Sequence, residues 1–477
     1  MAAAAGDAVL FEGPSARGIL GDGLRASQEA PARGLDVSGH PAGVSRVTIS
    51  GVSRIRRGFM DRLLGGVLAA RTVEQAVAES WEAAERLQAL GMAKNVEVLL
   101  DVAGEGREGI DVYLRGEDGG RYAIRTGVDV GDNEGSASVT ARLGNIWGGG
   151  ESLEASYMRG TKTAAAFHGL LAAPVGADPL RRIELGASQI AADARPYAAH
   201  DDVRRRATLA YHHHRHHHAA GPAGTTHEVR YVAEWRDICG LGADASPTLR
   251  SEAGHTLKSS VAYTVGYDDR DSRTVPTSGS LARATAEACG LLGGSVSFAK
   301  VDGEFQASQR LGASRLVVSA GVQGGVLWSF GARSPLADRF FLGGPTSVRG
   351  FEYRGIGPRD GGDSLGGDAF YAAGVSLLTP LPWVRTPALM GHVWANAGQL
   401  ALLDGRGLLR AARTTHAGGP RAEIERFFMQ PSVAVGVGLV YRHSLVRAEL
   451  SCALPLAAAA GDRPKAGLQF GLGLRFL

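Results

Sequence analysis

The chain has 477 residues, with 51 Lys+Arg against 48 Asp+Glu and 68 glycines. That is room for two or three ordinary domains or one large architecture, and the nearly balanced charge, with no long basic run, argues against a nucleic-acid partner. Hydrophobic residues at 44% are too many for a disordered chain, and no apolar run approaches the ~18 residues of a membrane-spanning helix.

Residues 1–43 are Ala/Gly/Pro-rich and aperiodic and read as a disordered tail. Met1–Gly6 has no basic and no apolar region of a secretory signal, and Asp7, Glu12, Asp22, Glu29 and Asp36, beside Arg17, Arg25 and Arg33, argue against a transit peptide. From Val44 the pattern changes. Val44–Ser50 predicts a strand and Gly58–Leu68 a short helix. Thr72–Leu90 predicts a longer helix, with Thr72 and Gln75 at capping-box spacing and Gly91 as its stop. Val73, Ala76, Val77, Trp81, Ala84, Leu87 and Leu90 share its expected buried face. Alternation at Val96–Val102 and Ile110–Leu114 predicts two more strands. The order β-α-α-β-β makes residues 44–119 one small α+β module.

After residue 120 the helical period disappears. Arg121–Val130 alternates, and so do Ser136–Leu143, Leu153–Arg159, Ile183–Gln189, Val229–Arg236, Leu316–Val322, Ser432–Tyr441, Leu445–Ala453 and Gly467–Phe476. About ten residues is the length of one tilted membrane-spanning strand. Residues 120–477 have room for about sixteen such strands with turns, so a transmembrane β-barrel is the expected architecture. A soluble all-β protein would show the same alternation.

Other features resemble chemistry without its context. Gly104-x-Gly106-x-x-Gly109 lacks the helix that a dinucleotide fingerprint requires and reads as a hairpin turn. His212–His214 and His216–His218 lack a carboxylate or thiol at ligand spacing and, with Gly221-Pro222 following, read as a hydrated hairpin loop. Cys239, Cys289 and Cys452 are widely spaced and read as unpaired. No nucleophile elbow, P-loop or His-Glu-x-x-His occurs. No metal, cofactor or enzymatic activity is expected.

One stretch is far more specific: Asp338-Arg-Phe-Phe-Leu-Gly-Gly-Pro-Thr-Ser-Val-Arg-Gly-Phe351. It resembles the sixth-loop motif of the outer-membrane-protein insertase superfamily, and in particular the family of central barrel subunits of the mitochondrial sorting and assembly machinery. Gly254–Ser260, Asp269-Arg-Asp271 with Pro276 and Gly279, Ile356-Gly-Pro358, Leu365–Asp368, Asn133–Gly135 and the ending Gln469–Leu477 also resemble that family. The resemblance implies a transmembrane β-barrel of about sixteen antiparallel strands preceded by one α+β POTRA domain. It implies insertion of precursor β-barrel proteins into the mitochondrial outer membrane, with accessory subunits and the lipid bilayer as partners and the POTRA domain facing the intermembrane space. A protein-translocating or passive pore on the same barrel is the alternative.

The family places a lateral gate between the first and last strands. Here that implies Tyr122, Ile124, Thr126 and Val128 on one side and Gln469, Gly471, Leu474 and Phe476 on the other. The loop motif maps to Val348, Arg349, Gly350 and Phe351, with Arg349 expected to pin the loop inside the barrel. Relatives often supply an Asp in Phe-x-Asp-x-Gly, where this chain has Trp394-x-Asn396-x-Gly398. The partner of Arg349 is therefore open between Asn396 and Glu449.

Overall fold

A computed structural model describes the chain except residues 1–40, 104–108, 132–133, 162, 196, 217–223, 313–314, 332, 382–387, 403–426, 443–446 and 474–477. Residues 1–40 of the expected disordered tail, most of the Gly104–Gly109 turn, Asn133, His217, His218, Leu474 and Phe476 lie outside the described residues, whereas 41–43 join the module, with Ala42 N–H donating to Arg71 O at 3.1 Å.

The N-terminal module runs β1 (Val44–Ser50), α1 (Arg57–Ala69), α2 (Val73–Ala89), β2 (Ala93–Val102) and β3 (Ile110–Asp118). Its sheet has the order β1-β3-β2, with β1 parallel and β2 antiparallel to β3. Helix α2 begins where Thr72 Oγ1 accepts the Gln75 N–H at 3.2 Å. It ends where Gly91, at φ +67, donates to Gln88 O and Met92 donates to Leu87 O. That bond pair is a Schellman closure, and Met92 and Leu87 join the module's apolar core beside it. The buried face of α2 is Ala76, Ser80, Ala83, Ala84 and Leu87. Trp81, expected inside, is 44% exposed. Small side chains let α2 approach α1 and the sheet, which an indole on that face would prevent.

The rest of the chain forms one sixteen-stranded sheet in which consecutive strands pair antiparallel. The strands are β4 (Tyr122–Gly131), β5 (Glu134–Gly144), β6 (Ser152–Gly160), β7 (Thr163–Val175), β8 (Asp178–Asp193), β9 (Asp201–His216), β10 (Gly224–Cys239), β11 (Gly254–Asp268), β12 (Gly279–Cys289), β13 (Phe298–Arg310), β14 (Val317–Ser329), β17 (Ala369–Pro380), β18 (Leu389–Ala401), β19 (Ser432–Arg442), β20 (Arg447–Ala457) and β21 (Gly467–Gly473). Between β14 and β17 lies a long loop that carries a two-rung hairpin, β15 (Arg359–Asp360) and β16 (Asp363–Ser364).

One face of the sheet exposes Val139, Leu153, Phe167, Leu185, Leu209, Val229, Val301, Val322, Val375, Val437, Leu450 and Phe470, so the wall is apolar outward. This is the alternation a lipid-facing barrel requires, and no helix of the described residues is long and apolar enough to cross a membrane. Strands β8, β9 and β10 have 16 residues each, about five more than a span needs. The surplus corrects the reading of the His tract: His212–His216 continue β9 and pair with β10. His212 lies between Glu184, at 3.0 Å, and Glu228, at 3.5 Å, so cross-strand carboxylates hold it. Cys239, Cys289 and Cys452 are free thiols.

The module is fastened to the sheet. Arg56 N–H donates to Gly148 O at 2.8 Å, Asn145 Nδ2 donates to Arg54 O at 2.9 Å, and Ala177, in the β7–β8 turn, packs into the module core. Because β4 leaves the module directly, the turns after β5, β7 and β11 lie at the module end and the long loop lies at the far end. Thr72→Ala should remove one N-cap bond, worth about 1 kcal/mol. Hydrogen exchange across α2 should quicken while exchange in β10 and β11 stays unchanged.

Candidate functional site

The long loop, residues 330–368, turns back into the space enclosed by the sheet. Its apolar side forms the largest buried cluster there: Phe340, Leu342, Val348, Phe351 and Ile356 against Phe370, Ala372, Trp394, Leu400, Ala434 and Ala453. Val348 and Phe351 are fully buried. Gly350 takes φ +83, and a Cβ there would meet Ala434 Cβ at 2.6 Å, so only glycine lets the loop lie against β19.

Arg349 points between them into the wall and is 1% exposed. Its Nε donates to Glu449 Oε1 at 2.7 Å, its Nη2 to Glu449 Oε2 at 3.2 Å and its Nη1 to Asn396 Oδ1 at 3.2 Å. Both candidate partners therefore contact Arg349. Glu449 supplies the charge in a two-point pair, and Asn396 spends its amide on Ser347 O at 3.1 Å. Glu449 also accepts from Arg447 at 2.8 Å and Ser451 at 2.7 Å. Directly opposite Glu449, Gly471 contributes no side chain and leaves room for the pair.

A second anchor had no counterpart in the sequence reading. Asp338 opens the loop motif, and Arg236 holds it through Nη1 at 2.6 Å and Nη2 at 2.9 Å. Lys258 Nζ reaches the same carboxylate at 2.9 Å, and Lys300 Nζ donates to the Asp338 carbonyl at 3.0 Å. Glu234 and Glu287 balance these cations. Burial alone would raise the Asp338 pKa, but Lys258 and Arg236 outweigh it and hold the carboxyl well below its ordinary range. The signal was present: Glu234, Arg236, Lys258, Glu287 and Lys300 are charges on the inward register of strands that cross the bilayer, where they must be paired.

The loop is held at two further places. Its tip is fixed where Asp363 accepts from the N–H groups of Ala199 and Ser246, both at 2.8 Å. Along Gly350–Gly355 it runs beside residues 463–465. Lys465 N–H donates to Gly350 O at 2.8 Å, Glu352 N–H to Arg463 O at 3.0 Å and Arg463 N–H to Gly355 O at 2.8 Å.

The two edges of the sheet are β4 and β21. Each pairs with one neighbour, β4 with β5 and β21 with β20, and no ladder joins them among the described residues. They nevertheless approach one another. On β4, Tyr122 and Ile124 are 76% and 77% exposed, Thr126 is exposed, and Val128 lies further along the strand. On β21, Gln469 and Gly471 are buried on the inner side. Among the described residues no group of His, Cys, Asp and Glu could hold a metal ion.

The fold defines a class: a sixteen-stranded outer-membrane-type sheet with an inward-turned loop and one α+β module. The Omp85 superfamily domain matches residues 145–476. The chain is 34% identical over 445 residues to the sorting and assembly machinery component 50 homolog B of Xenopus laevis, covering 91% of this chain and 90% of that one. It is 32% identical over 446 residues to the human homolog, with the same coverage. Among solved structures it resembles BamA from Haemophilus ducreyi lacking POTRA domains 1–3, at TM-score 0.71 and 16% identity, covering 91% of this chain and 84% of that one. The chain belongs to the Omp85 superfamily and, within it, to the family of sorting and assembly machinery component 50 proteins.

Truncating Arg349 removes the loop's charged tie to the wall, while Arg447 still pairs Glu449 at 2.8 Å. Arg349→Ala should therefore expose residues 345–356 to protease in the otherwise folded chain. Glu449→Gln should do so at least as much, because it removes the carboxylate that both Arg349 and Arg447 face, and breaking a buried ion pair costs about 3–5 kcal/mol.

Proposed function

We propose that this chain inserts precursor β-barrel proteins into the mitochondrial outer membrane through the seam between β4 and β21. The observation that carries the reading is the pair of edges side by side in one wall with no ladder between them among the described residues. A precursor strand cannot rest in lipid until every backbone N–H and C=O is paired, and an open edge offers those partners by strand addition. Tyr122, Ile124, Thr126 and Val128 on one side and Gln469, Gly471, Leu474 and Phe476 on the other form the proposed gate. The step is templated folding, with no covalent chemistry.

The N-terminal module is read as a POTRA domain that faces the intermembrane space and receives precursors before they reach the seam. Both outer strands of its sheet, β1 and β2, have one side unladdered among the described residues. Precursors and accessory subunits of the assembly machinery are the proposed partners.

A passive pore fits less well. The far end holds the long loop. At the module end, the β11–β12 turn folds inward, and Val275 is fully buried against Val317, Leu378, Met390 and Val440 on the opposite strands. Asp271 braces the turn by accepting from Thr277 N–H at 2.8 Å, and Arg310 donates to Thr277 Oγ1 at 3.0 Å. Val275→Asp should raise single-channel conductance in planar bilayers relative to the parent chain.

The direct test uses the full chain in liposomes with its native cysteines replaced by serine. A urea-held precursor of a mitochondrial porin is added, and its appearance as a heat-modifiable, protease-protected barrel is followed. Assembly should be faster than in empty liposomes. A disulfide between cysteines placed on β4 and β21 should stop it, and reduction should restore it. Equal rates with and without the protein would remove the proposal.

A further inference from the structure

The polar residue of the last strand has a use within the chain itself. Gln469 faces inward on β21, opposite Ser451, and is 7% exposed. Its Oε1 accepts the Gly350 N–H at 3.0 Å, and its Nε2 donates to Phe351 O at 3.3 Å. An N–H can only donate and a carbonyl only accept, so this amide meets both loop groups with the correct ends. The flanking chain continues the contact: Phe351 bridges Pro464, and Lys465 N–H donates to Gly350 O. The residue beside Arg349 is thus tied directly to an edge strand of the seam.

We infer that Gln469 is a positioning residue that couples the loop motif to the gate strand, so that the free edge of β21 is held in register by the loop. The inference rests on the gate reading given above. Arg349 fixes the loop to β18 and β20, and Gln469 transmits that fixed position to β21. Peeling β21 from the seam then needs either release of the two Gln469 hydrogen bonds or movement of loop and strand together. Without the side chain, Gly350 N–H and Phe351 O lose buried partners, and a group left unsatisfied costs more than the bond it made.

The test is hydrogen exchange on the full chain in liposomes, in the parent, Gln469→Leu, Arg349→Ala and the double variant. Gln469→Leu should quicken exchange in both 347–356 and 467–473 by about ten-fold, as expected for two lost buried hydrogen bonds, with heat-modifiability retained. Arg349→Ala should quicken exchange in 467–473 in the parent background and add little once Gln469 is Leu. Gln469→Glu should not rescue, because it loses the donor to Phe351 O. The coupling is overturned if Arg349→Ala leaves 467–473 unchanged in the parent, if the two substitutions add independently, or if Gln469→Leu affects neither segment. If Gln469→Leu fails to fold, Gln469→Asn, which is one methylene shorter, is read by the same comparison. Exchange does not depend on precursor assembly, so normal coupling without assembly would sink the functional reading alone. Where assembly is active, Gln469→Leu should slow it while precursor binding holds.

Discussion

A guanidinium cannot stay inside a protein wall without compensation, and Arg349 meets that constraint with Glu449 and Asn396. The loop must therefore keep its fold and its depth for the pair to exist. The wall supplies an inward carboxylate on β20 and an amide on β18, with a glycine on β21 opposite the carboxylate. Gly350 is required by the same contact, since a Cβ would strike Ala434. Val348 and Phe351 flank the charge with apolar contacts that keep water away and strengthen the pair.

The sheet has two unlike sides. From β10 to β13 its inner face carries a charge network that receives Asp338 and the start of the loop. From β17 to β20 it is mostly apolar or small and receives the motif itself. The loop spans both sides, tied to the charge network at one end and to the neighbourhood of the seam at the other. In the proposed gate, β21 moves relative to a loop whose start is tied to β10 and β11. The β4 edge has a different support, because its strand continues from a module fastened to the turns after β5 and β7.

Much of this was legible in the residues. Strict alternation in Arg121–Val130 and Ser432–Tyr441 located strands β4 and β19 to within a residue or two, because lipid and lumen impose period two. Thr72, Gln75 and Gly91 fixed α2 through local bonds. Trp81 misled because amphipathic spacing says which residues align and not how closely the helix must pack. The His tract misled because polarity suggested a loop, whereas β9 runs past the membrane span and its polar ends face carboxylates on neighbouring strands. Strand β7 gave a weak signal, because Ala164-Ala165-Ala166 and Ala172-Ala173 satisfy either face. The pairing of Arg349 with both Asn396 and Glu449 is a three-dimensional fact, set by residues 47 and 100 positions away in the chain.

The central claim is that an incoming strand meets the free edges at the seam. It is tested most directly by photo-crosslinking a precursor arrested during assembly in liposomes. The photoreactive residue is placed at Ile124 on β4, at Leu468 on β21, or at Val322 in the middle of the wall. The account predicts adducts with the precursor's terminal strands at Ile124 and Leu468 and none at Val322. Equal adducts at all three positions, or adducts at Val322 alone, would contradict it.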